Sequence, residues 1–210
     1  MDLSPETPFR LVFGFFWLLN TFTRSYFQMK ALKSRKVANP GPSAGKLGFR
    51  LLAVSYLVLV LYPVSPWVDF AHFDLPLWFR WTIGGGLLVV YLVFFVWTHV
   101  ALGRHWSGLL EVHEDHALIT SGPFHYVRHP MYASFFLATF GVIVFTANWF
   151  IGGLYFLATV FMYASRVSLE EKMMIDTFGD AYREYMENTS RLIPGYSRKA
   201  SSTHVASHHP

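Results

Sequence analysis

Five blocks of apolar residues, parted by charged segments or tight turns, set what this chain can become. A helix rises about 1.5 Å per residue, so about 20 apolar residues cross the ~30 Å hydrocarbon core of a bilayer. The blocks run from Phe9 to Phe22 (extending towards Tyr26), Leu47 to Trp67, Phe79 to Leu102, Met131 to Thr146 and Trp149 to Ser165. Inside a membrane the backbone must satisfy its own hydrogen bonds, and runs of this length do so as helices. The expected fold is an all-α integral membrane protein: five transmembrane helices, a cytosolic binding loop and a C-terminal amphipathic helix. The second block ends in an aromatic stretch broken by Pro63 and Pro66, and Trp78, Trp81 and Trp97 stand where interfacial anchors belong. Ala147 and Asn148 leave room only for a tight hairpin between the last two blocks.

Composition agrees. Charged residues make up 14% of the 210 positions, against about 25% in an average soluble domain. The 53% hydrophobic content excludes disorder and collagen-like repeats. The chain has no cysteine, which excludes disulfide scaffolds, thiolate zinc sites and cysteine nucleophiles. No internal repeat is visible.

Charge orients the spans. Of the 17 basic residues, all but Arg10 and Arg80 lie between the first and second blocks, at the start of the second (Arg50) or after the third. The loop between blocks two and three carries Asp69 and Asp74 instead. The positive-inside rule then puts the N-terminus outside and the C-terminus in the cytosol, as an odd number of spans requires. The first block does not read as a cleaved signal peptide, since Asp2 and Glu6 precede it and no small-residue cleavage site follows. Membrane topology accounts for the net charge of +4, so no nucleic-acid partner is expected. The Lys30–Lys36 cluster reads as a contact to anionic lipid. The expected organisation is an N-terminal three-span region over 1–101, a core over 102–196 with a two-span hairpin, and a disordered Ser/His-rich tail over 197–210.

Two cytosolic segments are too distinctive to be plain connectors. Residues 103–130 hold His105, His113, His116, His125 and His129, with His99 at their edge. Pro130 suits the first turn of a helix, whose free amides would face Arg128 and His129 and favour a bound carboxylate or phosphate. The alternative is a polar helix cap with Arg128 reaching to lipid headgroups. In residues 165–194, Arg166 and Glu170 are four apart and share a helical face, with Glu171 next round. The alternative there is a salt bridge that ends the span. Met173, Met174, Phe178, Tyr182, Tyr185 and Met186 follow at helical spacing as a packing face, with a break expected at Gly179. His105, His113, Asp115 and His116 match no tight metal motif, so no metal site is assigned. Gly84-Gly85-Gly86 lies inside the third block, where small residues allow close helix packing. Neither a phosphate-binding glycine loop nor a serine nucleophile elbow is present.

The stretch H-A-L-I-T-S-G-P-F-H-Y-V-R-H-P-M-Y (His116–Tyr132), a two-span hairpin, R-V-S-L-E-E and F-G-D-A-Y-R-E-Y together resemble the isoprenylcysteine carboxyl methyltransferase family, especially its small five-span prokaryotic members. The likeness runs over about Leu102–Pro194. It implies methyl transfer from S-adenosylmethionine at the cytosolic membrane face. By family motif His116, Ala117, Leu118 and Ile119 line the cofactor, Phe124 packs on it, and His129, Pro130, Met131 and Tyr132 continue its wall. Glu170 holds the cofactor's amino group and Arg166 acts as the catalytic arginine between cofactor and acceptor. Glu171 and Glu111 carry over more loosely. The chemistry is compatible: a carboxylate suits an ammonium, helix-end amides suit a carboxylate, and aromatic rings suit adenine or a sulfonium. The implied partner is a lipophilic acceptor entering from the bilayer, most like an isoprenylcysteine carboxylate. A phospholipid amine or a small thiol remains open as acceptor. A membrane reductase using a nicotinamide cofactor and a non-enzymatic scaffold are the readings from other classes.

Overall fold

The computed structural model of the chain describes residues 5–32, 43–103 and 118–195, and every regular element among them is a helix. Helix α1 (Thr7–Leu32) and α2 (Ser43–Val58) are followed by a short α3 (Leu61–Val64) and a 3-10 turn over Pro66–Ala71. The block expected as one span from Leu47 to Trp67 is therefore interrupted at Leu59–Val60. Pro63 explains the position of the break: it has no N–H to donate, and its ring clashes with the carbonyl four residues back. That carbonyl, of Leu59, accepts from the amide of Tyr62 at 3.3 Å instead. Ser65, before Pro66, is extended, and its Oγ accepts from the Trp67 amide at 3.1 Å.

Helix α4 (Leu77–Phe79), a π turn over Arg80–Gly84 and α5 (Gly85–Leu102) run on as one helix, Leu77–Leu102. After α6 (Pro123–Tyr126) come α7 (Pro130–Thr146), α8 (Trp149–Phe178) and α9 (Asp180–Asn188). Among the described residues, Leu77–Leu102 and Trp149–Phe178 are long and apolar enough to cross a membrane; Arg50–Val64 and Pro130–Thr146 are shorter apolar helices. Helix α8 does not end at Ser165. Its 30 residues extend about 45 Å against a ~30 Å hydrocarbon core, so the polar last third projects beyond any span beginning at Trp149.

Helices α5, α7 and α8 pack side by side, α2 lies along α8, and α1 closes the bundle against α3, α5 and α7. Phe13, Tyr62, Tyr91, Phe95, Phe135 and Phe145 form the centre of the aromatic core. Of the three consecutive glycines only Gly84 makes the close approach: a Cβ there would lie 2.6 Å from the amide nitrogen of Phe145. A Cβ on Gly85 would meet the Phe145 ring at ordinary distance, and one on Gly86 would meet nothing.

The end of the bundle that holds the α7–α8 hairpin is locked by polar contacts. Ala147 adopts the left-handed conformation, and Asn148 caps α8 by accepting from the amides of Phe150 and Ile151, both at 3.1 Å. Asn148 also donates to the Val68 carbonyl at 2.7 Å, and the Phe73 amide donates to the Ala147 carbonyl at 2.9 Å. Arg80, 1% exposed, donates to both carboxylate oxygens of Glu6 (2.5 and 2.8 Å) and to the Phe145 carbonyl (3.1 Å), over the face of Phe9. Burial opposes ionisation of Glu6, but the hydrogen bonds from Arg80 and Tyr62 hold its carboxyl below the usual range. Arg10 pairs with Asp69. The two basic residues that break the charge asymmetry of the sequence are thus each neutralised by an acid.

Candidate active site

At the opposite end, three segments converge. Gly122 starts the single turn α6, Val127 follows in extended conformation, and Pro130 opens α7 with no side-chain cap from His129. The Ala133 amide bonds back to the His129 carbonyl at 3.1 Å. The amides of Met131 and Tyr132, the two residues before it in the same turn, have no intrahelical acceptor and point out of the helix end. The second segment is the projecting part of α8. The third follows Gly179, whose φ of +56° ends α8 and turns the chain back into α9. Beyond α9 the chain runs beside the Val127–His129 stretch: the Arg128 amide donates to the Ser190 carbonyl at 2.8 Å and the His129 amide to the Arg191 carbonyl at 3.0 Å. Tyr185 ties α9 to α6 by donating to the Phe124 carbonyl at 2.5 Å.

Glu171 sits where these segments meet. Its side chain is 5% exposed and receives Arg128 Nη2 (2.9 Å) and Arg191 Nη2 (2.5 Å), with His129 Nε2 3.2 Å from Oε1. Burial pushes its pKa up, but the bonds from His129, Arg191 and Arg128 outweigh it and hold the carboxyl well below the usual range. The same contact raises Arg191. Arg128 spends its other nitrogen on the carbonyls of Met186 and Thr189. It therefore does not reach outward to headgroups. Glu170, the neighbouring carboxylate, accepts from the Tyr132 hydroxyl at 2.6 Å and from Arg166 Nε at 3.2 Å, with His129 Nδ1 3.7 Å from its second oxygen. One imidazole thus stands between two carboxylates.

Of the residues singled out from the sequence, the fold gathers His129, Tyr132, Arg166 and Glu170 into one cluster, with Pro130 and Met131 in the adjoining helix turn. Leu118 and Ile119 are half-buried and lead into the turn before α6, and Phe124 is half-buried within it. His116 and Ala117 lie outside the described residues, as do Glu111, the other candidate metal-loop residues and the Ser/His-rich tail. The packing face divides at Gly179: Tyr182 and Tyr185 are buried on α9, while Met173, Met174 and Phe178 remain on α8. Sequence reasoning underrated Glu171 and missed Arg191. No local signal marked the pairing, because Arg191 lies in the run beyond α9, 20 positions from Glu171.

The segment that carries both carboxylates and the Arg128–Tyr132 turn has a known counterpart. Residues 77–176 match the isoprenylcysteine carboxyl methyltransferase (ICMT) family. Within curated relatives, the fission yeast protein-S-isoprenylcysteine O-methyltransferase is 33% identical over 45% of this chain and 41% of its own length. A Bradyrhizobium diazoefficiens methanethiol S-methyltransferase is 42% identical over 33% of this chain and 23% of its own. The matched stretches thus span less than half of either relative. A solved structure of the eukaryotic intramembrane Ras methyltransferase ICMT superposes with a TM-score of 0.50 at 22% identity, covering 76% of this chain and 55% of that one. The helical bundle therefore has the ICMT fold.

Proposed function

We propose that this chain is an S-adenosylmethionine-dependent methyltransferase of the membrane, with a lipophilic acceptor of the isoprenylcysteine carboxylate class. The observation that carries the reading is the Glu170 site: a carboxylate oriented by Tyr132 and Arg166, beside a helix N-terminus with free amides, inside the family-matched stretch. These groups fit the cofactor. Glu170 would take its ammonium, the Met131 and Tyr132 amides its carboxylate, and Phe124 and Tyr132 offer ring faces to adenine. His116, Ala117, Leu118 and Ile119 would complete the wall on the loop side. When bound, S-adenosylmethionine supplies an electrophilic methyl group. Arg166 would stand between cofactor and acceptor; a carboxylate acceptor is already ionised, so the chain need supply no general base, and positioning furnishes most of the rate.

Five helices cross the bilayer in this reading, the N-terminus lies outside and the site is cytosolic. Support comes from the outward faces of the helices, where Leu11, Phe15, Leu18, Phe22, Val54, Leu57, Val93, Val100 and Leu157 are all exposed. An apolar exterior of this extent suits lipid, not water. The acceptor enters laterally from the bilayer. Residues 1–101 supply three spans, and residues 102–196 form the methyltransferase core ahead of the tail at 197–210. The Bradyrhizobium relative supports a second reading, in which the same site methylates a small thiol.

Calorimetric titration of the purified chain with S-adenosylhomocysteine tests the assignment. Binding by the parent and its loss in Glu170→Ala and His129→Ala are expected. A parent that does not bind removes the methyltransferase reading.

A further inference from the structure

Trp17, Asn20, Thr21 and Arg24 occupy one face of α1, turned into the bundle. The first three are satisfied there. Trp17 Nε1 donates to the Tyr56 carbonyl at 3.1 Å, Asn20 Nδ2 donates to the Tyr56 hydroxyl at 2.9 Å, and that hydroxyl lies 2.9 Å from Thr21 Oγ1. Asn20 Oδ1 accepts from the Tyr91 hydroxyl at 2.8 Å.

Arg24 ends the row and breaks the pattern. Its Nη1 is sealed from the surface and has no hydrogen-bond partner. The guanidinium carbon lies 5.2 Å from the ring centre of Tyr56, 5.5 Å from that of Phe135 and 5.9 Å from that of Phe95. Among the described residues each of the other inward-facing guanidiniums has an acid: Arg80 has Glu6, Arg128 has Glu171 and Arg166 has Glu170. Among the described residues Arg24 has three aromatic rings and no carboxylate.

A cationic side chain near the end of a membrane helix ordinarily snorkels to the headgroups. Arg24 instead points its Nη1 inward, and a buried donor without an acceptor is unfavourable unless a ligand or water completes it. Aromatic faces hold a guanidinium by its plane and leave the N–H edge for a planar oxyanion. The cage also adjoins the candidate active site. Phe135 follows Tyr132 by three residues on α7, about 4.5 Å along the axis, so it lies about one turn deeper in the bundle.

We propose that Arg24 is the acceptor-selecting residue: within the Tyr56–Phe95–Phe135 cage its guanidinium binds the carboxylate of a lipophilic acid whose chain lies among the core aromatics. The proposal rests on the methyltransferase reading and sharpens it, since it makes the acceptor an acid and excludes an amine or thiol. The methyl ester formed from such an acid is neutral. It no longer pairs with Arg24 and leaves more readily than the acid.

The test uses the full chain in lipid nanodiscs and three probes: N-acetyl-S-farnesylcysteine as free acid, as carboxamide and as methyl ester. The parent should bind the acid about tenfold tighter than either neutral form. Arg24→Gln should bring the three affinities together, and Arg24→Lys should keep part of the preference, with S-adenosylhomocysteine affinity unchanged in both. Equal binding of acid and carboxamide by the parent overturns the proposal. Should both variants fail to fold, a photoreactive group beside the probe's carboxylate decides the matter in the parent. Labelling of Tyr56, Phe95 or Phe135 is expected, and labelling that spares all three overturns it. A parent that prefers the acid yet fails to bind S-adenosylhomocysteine counts against the methyltransferase reading alone, because acid selection is read without the cofactor.

Discussion

Arg191 reaches Glu171 across a helix break: its Nη2 lies 2.5 Å and its Nε 3.0 Å from the two carboxylate oxygens. Arg128 and His129 approach the same carboxylate from the start of α7. A single buried acid therefore ties the end of α8, the entry to α7 and the strand-like run after α9 into one unit. Glu170, its neighbour, is left at the edge of that unit and is the more accessible of the two, at 22% side-chain exposure against 5%.

Removing Glu171 should be costly. In Glu171→Ala the guanidinium of Arg128, 8% exposed, and the His129 ring lose their shared acceptor inside the protein. Breaking a buried ion pair from one side costs about 3–5 kcal/mol. Arg191 is half-exposed, so Arg191→Ala should cost no more than about 1 kcal/mol. Denaturant titration in detergent micelles measures both, and similar losses would contradict the central role of Glu171.

The ionised state of Glu171 also gives stability a pH dependence. Its carboxyl is held below the ordinary value in the folded protein, so the unfolded chain takes up the proton first as pH falls. The stabilisation is complete above about pH 5, starts to erode near the unfolded carboxyl value of about 4.3 and declines further at lower pH. Thermal unfolding followed from pH 6 to pH 3 should show a shallower decline for Glu171→Gln than for the parent. Parallel curves would count against this ionisation state.

Glu170 has a different part to play. Glu170→Gln preserves shape but removes the charge proposed to meet the cofactor's ammonium, so S-adenosylhomocysteine should bind about tenfold or more weakly. Tyr132→Phe removes only the hydroxyl that orients Glu170 and should weaken binding less. An unchanged dissociation constant in Glu170→Gln would move the ammonium elsewhere.

A fourth expectation concerns packing far from the site. Gly84→Ala would set a methyl group 2.6 Å from the backbone nitrogen of Phe145. Backbone cannot swing aside as a side chain can, so α5 and α7 must separate, at about 1–3 kcal/mol. Gly86→Ala meets nothing within 4 Å and should be neutral or slightly stabilising through helix propensity. Comparing the two midpoints checks the assignment of the contact to Gly84.

Much of this was legible along the chain because its causes are local. The Pro130 helix start, the Arg166–Glu170 pair and the Gly179 break each depend on residues within a turn or two. The second block reads as a single span from Leu47 to Trp67, although Pro63 breaks it at Leu59–Val60. What escaped were pairings that only the tertiary fold creates. Glu171 sits 43 positions from Arg128 and 20 from Arg191, and nothing in either neighbourhood announces the other. Arg24 was equally opaque, since a basic residue at the end of an apolar block reads as a topology signal whichever way its side chain turns.

Helix α8 is unbroken from the Asn148 cap to Gly179, so the hairpin at one end of the bundle and the carboxylate pair at the other belong to one rod. A rod has phase. One residue inserted between Trp149 and Ser165 would turn Glu170 and Glu171 by about 100° away from His129, while a four-residue insertion would return them to nearly the same bearing, about 6 Å further out. The length of this helix is therefore as much a determinant of the site as the two acids themselves, and it cannot drift by single residues as a surface loop can.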